Sequence, residues 1–253
     1  MLTRSLKLLA LLVSAVLLSG AGVWADTATI IIRPGDNWVA PPLVPFDPDP
    51  ASVFAACIAD CALTKFDPTT EQPVSYGSAG FGNILLGDGV KVANPTSTTF
   101  VCTYEGVPDG VPDHNGVMTD MWVSLPGNQV DGQNSGGMHW VGHPFYHDTP
   151  IAACFVTNGS SLLTLEEAVT AGWIDGLWNY MDAETQTVYT AGLASLGAND
   201  TWLRATHMYE VQSHLDNLAF IVPAYVVPEP ASGCTLLVGL PLLLLRRRAR
   251  RGV

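Results

Sequence analysis

Asp36-Asn37-Trp38-Val39-Ala40-Pro41 and, much later in the chain, Met138-His139-Trp140-Val141-Gly142-His143-Pro144-Phe145 open two copies of one pattern. Each is an aromatic-led strand halted by proline, which has no N–H to give a sheet ladder. A helix signal follows each. In the first copy Asp49 is an N-cap with Pro50 at the first helical position, leading into Ser52-Val53-Phe54-Ala55-Ala56-Cys57-Ile58. In the second, Thr164 and Glu167 form a capping box and Gly172 is the stop.

A hairpin-like block comes next, Leu63-Thr64-Lys65-Phe66-Asp67-Pro68-Thr69-Thr70 against Leu177-Trp178-Asn179-Tyr180-Met181-Asp182-Ala183-Glu184-Thr185, with an Asp-x-x-Thr turn in each. Ile84-Leu85-Leu86-Gly87-Asp88-Gly89-Val90-Lys91-Val92 and Leu203-Arg204-Ala205-Thr206-His207-Met208-Tyr209-Glu210-Val211 close the copies, both alternating like strands. Residues 99–105 and 120–125 read as further strands between the copies, around a turn-rich loop with Pro108, Gly110, Pro112 and Gly116, and 218–222 as a final one. The predicted fold is mainly β, with one short helix per repeat: two tandem related modules of antiparallel strands. The first occupies residues 26–97; linker strands and the second occupy 98–227.

The ends of the chain read as addresses. Arg4 and Lys7 precede an apolar run over 8–18 and the small-residue site Val23-Trp24-Ala25, the layout of a signal peptide over 1–25 with a mature start at Asp26. At the other end Pro228-Glu229-Pro230 is followed by an apolar run over 234–245 and then Arg246, Arg247, Arg248, Arg250 and Arg251. An apolar segment followed by arginines keeps the arginines cytoplasmic and the body outside. Residues 231–245 span only ~22 Å as a helix, against about 30 Å of hydrocarbon, so the segment suits a transient membrane contact better than a permanent transmembrane helix. The tripartite tail over 228–253 resembles the PEP-CTERM sorting domain of exported bacterial proteins. That resemblance implies processing near Pro230 by an exosortase-like enzyme, after signal peptidase has acted at the other end. An ordinary single-span anchor is the alternative, and it too places the body outside.

Seven of the 11 Lys and Arg lie in these two ends. The body keeps Arg33, Lys65, Lys91 and Arg204 against 22 acids, a formal charge of −18, which disfavours nucleic acid and anionic lipid as partners. Cys57, Cys61, Cys102 and Cys154 would meet an oxidising compartment. Because Cys57 and Cys61 lie four apart on the expected helix, bonds from them to Cys102 and Cys154 are favoured over a bond between them; small unpaired hydrophobes are the alternative.

The body blocks resemble, loosely, a tandem module of exported bacterial surface proteins in which a Gly-Trp-Asn-Leu-Ile-Gly-x-Pro strand precedes a helix, an aromatic-Asp turn and a Gly-x-Gly-Tyr-Trp strand. Gly87 and Gly89 keep that pattern in the first copy, whereas Thr206 and Met208 replace it in the second. Val90-Lys91 and Tyr209-Glu210 stand where the Tyr-Trp pair would be. The resemblance implies no enzymatic role.

Chemistry is sparse. His139, His143, His147 and Asp148 are a candidate metal set, but on an extended strand each gap of four is about 13 Å, so only a folded-back loop would gather them. Asp109, Asp113, Asn115 and Asp120 offer oxygen ligands without an EF-hand register. Ser135 lacks a nucleophile elbow, and no phosphate-binding glycine loop, dinucleotide fingerprint or zinc-protease motif occurs. Trp122, Trp140, Trp173, Trp178 and Trp202 would serve either as core or as stacking faces for an extracellular polysaccharide. The expected function is therefore that of an exported, surface-sorted structural or interaction protein without catalytic residues or cofactor. A carbohydrate- or matrix-binding adhesin is the alternative, and an extracellular hydrolase using His139, His143 and Asp148 comes third.

Overall fold

A computed structural model describes residues 26–67, 70, 72–107, 121–126 and 136–223 of the chain. The predicted signal peptide, the loop with Asp109, Asp113, Asn115 and Asp120, Ser135, and the tail with Pro228, Glu229, Pro230, Arg246, Arg247 and Arg248 lie outside the described residues.

The fold is mainly β and is made of two related modules. The first contains β1 (Asp26–Ile32), β2 (Gly35–Val39), β3 (Val44–Pro45), α1 (Pro50–Val53), β4 (Ala62–Asp67), β5 (Gln72–Ser75), β6 (Val90–Asn94) and β7 (Phe100–Val107). The second contains β8 (Met121–Leu125), β9 (Gly137–Gly142), β10 (Thr149–Pro150), β11 (Phe155–Thr157), β12 (Leu162–Thr164), α2 (Leu165–Thr170), β13 (Leu177–Asp182), β14 (Thr187–Gly192), β15 (Trp202–Leu203), β16 (Met208–Ser213) and β17 (Leu218–Val222). The sheet β2-β6-β4-β5 is matched strand for strand by β9-β16-β13-β14, and β1-β7-β3 by β8-β17-β11, to which β12 is added. These ladders are antiparallel; among them β4–β5 and β13–β14 are hairpins, and the others join strands distant in the chain.

Register makes the equivalence specific. Trp38 pairs with Lys91 on β6 as Trp140 pairs with Glu210 on β16. Lys91 in turn faces Thr64 and Glu210 faces Asn179, so Thr64 and Asn179 correspond, as do Leu63 and Trp178 one residue earlier. The hairpins close on Asp67–Gln72 and Asp182–Thr187. Their aspartates do the same work: Thr70 Oγ1 donates to Asp67 Oδ2 at 2.9 Å, and the amides of Glu184 and Thr185 donate to Asp182 Oδ1 at 2.8 and 3.1 Å.

Both helices are short, and each starts at a well-formed N-cap. Asp49 accepts from the Ala51 amide at 2.8 Å, and the helix turns out at Phe54, so Cys57 and Cys61 lie in the turns beyond it instead of on a continued helix. Thr164 and Glu167 make the reciprocal capping box, and Gly172 follows at φ +72°. In each copy the next strand begins 13 residues after the cap, Asp49 to Ala62 and Thr164 to Leu177.

Each module has its own core. Ile30, Leu43, Phe54, Leu63, Ile84 and Cys102 belong to the first, which thereby includes β7. Leu125, Ile151, Leu165, Trp178, Tyr209 and Phe220 belong to the second, where Trp178 and Phe220 meet edge to face at 5.2 Å. Burying a side chain of this size contributes about 1.5–3 kcal/mol. No described helix is long and apolar enough to cross a membrane.

Candidate functional site at the seam between the modules

The core-facing residues of β2 alternate with Asp36 and Trp38, which point the other way, toward the second module. Along that face lies the row Trp38–Lys91–Thr64, and opposite it the equivalent row Trp140–Glu210–Asn179. Lys91 Nζ sits 3.9 Å from the Trp38 ring centre and 4.3 Å from that of Trp140, and donates to Glu210 Oε1 at 2.7 Å. The cation thus lies between two equivalent aromatic rings and is paired with the residue that occupies its own position in the other copy. Phe66 stacks on Trp140 with centroids 5.4 Å apart. On the Trp38 side Met181 replaces Phe66, and a cleft of about 240 Å³ opens between Trp38, Asp36, Thr64, Lys91, Ala93 and Met181.

The backbone contacts across the seam are reciprocal. Val39 bridges to His207 and Val141 to Asp88. The Ala40 amide donates to Thr206 O at 2.9 Å, and the Gly142 amide to Gly87 O at 2.8 Å. In each case residue i of one copy meets residue j of the other and the reverse, the signature of an isologous contact within one chain. Small residues permit it: a Cβ on Gly142 would stand 2.7 Å from that of Ala40, and one on Gly89 would stand 2.2 Å from Met208 Cγ. Gly89 and Met208 are themselves equivalent, so the methionine fills the space its counterpart leaves.

The histidine set is not gathered into one site. His139 Nε2 lies 3.0 Å from Ser213 Oγ. His143 is fixed between Phe145 O at 3.1 Å and Thr149 Oγ1 at 3.0 Å, while His147 stacks on the Phe145 ring. Burial pushes the pKa of both His139 and His143 down to about 4, keeping them neutral. Asp148 accepts from Arg204 Nη1 at 2.7 Å and from the Ala205 amide at 3.0 Å. Burial alone would raise its pKa, but that amide and the guanidinium hold it below the usual carboxylate range. Arg204 also clasps Asp200 through Nε and Nη2, at 2.7 and 2.9 Å, which ties the loop before β15 to the one before β10. Among the described residues no group of three or more His, Cys, Asp or Glu is placed to share a cation.

The tryptophans divide. Trp178 is buried and Trp173 packs against the second core; Trp140 belongs to the seam; Trp122 and Trp202 are exposed. The cysteines divide by module. Cys57 and Cys102 lie in the first core with their sulfurs 3.5 Å apart, Cys61 is partly exposed beside them, and Cys154 is buried in the second core, where desolvation pushes its thiol up. The expected pairing of Cys57 and Cys61 with both Cys102 and Cys154 is not what this placement offers, since only Cys102 is in contact.

Lys91, Glu210 and Trp38 were not candidate site residues in the sequence. The signal that marks them is a charge of opposite sign at one repeat position, which has meaning only once the two copies face each other. Comparison with known proteins finds no matching family model, no matching curated protein and no matching solved structure.

Proposed function

We propose that this chain is an exported, surface-sorted structural or interaction protein without enzymatic activity. The observation that carries the reading is the Pro228-Glu229-Pro230, apolar run and arginine cluster at one end of the chain, opposite a signal-peptide layout at the other. The body suits that role. Its four cations are all held in ion pairs, Arg33–Glu184, Lys65–Asp88, Lys91–Glu210 and Arg204–Asp148/Asp200, which leaves the excess acids to give a soluble, anionic surface. The bonding of His139 to Ser213 and of His143 to Thr149 favours structural histidines over hydrolytic ones. Intact-mass spectrometry of the protein from its native host, sorted by cell fraction, tests the proposal. A chain running from Asp26 to near Pro230 in the surface or extracellular fraction is expected; a full tail retained in the inner membrane would overturn it.

The Trp38 cleft and the exposed faces of Trp122 and Trp202 favour a second reading, binding of an envelope polysaccharide. Retention on a polysaccharide affinity gel, lost in Trp38→Ala, is its expected result. Equal migration with and without every polysaccharide tried would remove it.

A further inference from the structure

Three of the four body cysteines meet at one place in the first module. Cys57 lies in the turns after α1, and its sulfur is 3.5 Å from that of Cys102 in the middle of β7. Cys57 and Cys102 are 1 % and 0 % exposed, so no bulky oxidant reaches either directly in the folded chain. Cys61 is different. It is partly exposed, it packs against the core that holds Cys57, and its amide donates to Cys57 O at 2.9 Å, so the two residues are neighbours one turn apart. Cys57 therefore touches a buried thiol and has a partly exposed cysteine one turn further along the chain.

We infer that Cys57 and Cys102 form a disulfide in the exported protein, and that Cys61 is the thiol through which the oxidising equivalent enters. The Cys61 thiolate attacks a low-molecular-weight or protein disulfide, forming a mixed disulfide and releasing one thiol of the oxidant. Cys57 then attacks the Cys61 sulfur, releasing the second thiol and leaving a transient Cys57–Cys61 bond. Cys102 attacks the Cys57 sulfur, the Cys57–Cys102 bond forms, and Cys61 returns as a free thiol. The net change removes two hydrogens from the protein and reduces one disulfide of the oxidant to two thiols. The bond staples the segment after α1 to a central strand across 45 residues of chain, restricting the unfolded ensemble. Cys154, alone in the second core, stays reduced. The pairing rests on geometry; only the presence of an oxidant rests on the export reading.

The test uses full-length reduced protein exposed to glutathione disulfide, quenched by alkylation at intervals and mapped by peptide mass spectrometry. A Cys57–Cys102 link with Cys61 and Cys154 alkylated is expected, and its formation lowers the intact mass by two hydrogens. Cys61→Ser should slow the link about tenfold or more without changing it, and Cys102→Ser should halt at a Cys57–Cys61 bond or a glutathione adduct on Cys61. Reducing the bond should lower Tm by about 10 °C in wild type and in Cys61→Ser, but not in Cys102→Ser. A final link to Cys154, or Cys57–Cys61 as the end product, would overturn the pairing; wild-type kinetics in Cys61→Ser would overturn the relay. A link that forms in the tube but is absent from protein recovered from the host would contradict export and leave the pairing standing.

Discussion

Lys91 and Glu210 occupy the same position of the two copies, and their side chains meet at 2.7 Å. In a symmetric dimer of one module that position would confront itself, with like charges or like neutral groups in contact. Here the copies have diverged to opposite charges. The equivalent tryptophans, Trp38 and Trp140, both remain, and the one lysine serves both rings.

Divergence has left strain at a second equivalent pair. Gly87 adopts φ +83° and Thr206 φ +63°, the same left-handed turn, which glycine enters freely and a β-branched residue does not. Thr206→Gly is expected to stabilise the protein by about 0.5–1 kcal/mol, and Gly87→Ala to destabilise it by about 1–2 kcal/mol, in urea denaturation. A destabilised Thr206→Gly would mean that the threonine side chain contributes more than its backbone costs.

Gly89 and Met208 share a space sized for one side chain. Gly89→Ala sets a Cβ 2.2 Å from Met208 Cγ and 2.9 Å from Trp140 O, and should cost about 1–3 kcal/mol by overpacking. Met208→Ala in the same chain should recover part of that loss, whereas Met208→Ala alone leaves a cavity and destabilises. Strict additivity of the two substitutions in a double-mutant cycle would contradict the shared space.

The buried histidines predict an acid-sensitive second module. For His139 and His143 the folded pKa is about 4 and the ordinary value 6.5, so the unfolded chain takes up protons first as pH falls. Their contribution is complete above pH 6.5 and is lost between 6.5 and 4, at roughly 3 kcal/mol for each histidine. Asp148, held below 3.8, adds a loss only beneath that window. Thermal unfolding across pH 4–7 should show the decline, and His143→Gln should flatten it; a slope unchanged in that variant and in His139→Gln would refute the assignment.

Much of this fold was legible because the repeat carried it. The caps at Asp49 and Thr164, the stop at Gly172, the paired Asp-x-x-Thr turns and the third-block alignment of Lys91 with Glu210 are local chemistry that a sequence displays. Alignment of the second block was less plain: both blocks begin with leucine, yet burial matches Leu63 with Trp178, and Leu177 is left exposed. The β1 strand was not read, and neither were the short β11 and the added β12 of the second copy, since three-residue strands carry no usable period. The first helix ends sooner than its apolar run suggested, which moves Cys57 and Cys61 into turns. The seam was illegible because it depends on two faces meeting, and neither face alone records what the other brings.

The most direct test of two equivalent copies closing on each other is a charge swap. Lys91→Glu and Glu210→Lys should each destabilise the protein by about 1–2 kcal/mol, since both side chains are about three-quarters buried and each substitution opposes like charges. With both exchanged, the lysine at 210 is expected to lie between the same two tryptophans and the glutamate at 91 to receive it, so urea denaturation should show more than half of the summed loss restored. A double variant as unstable as the two losses added together would contradict the equivalence on which this account of the fold is built.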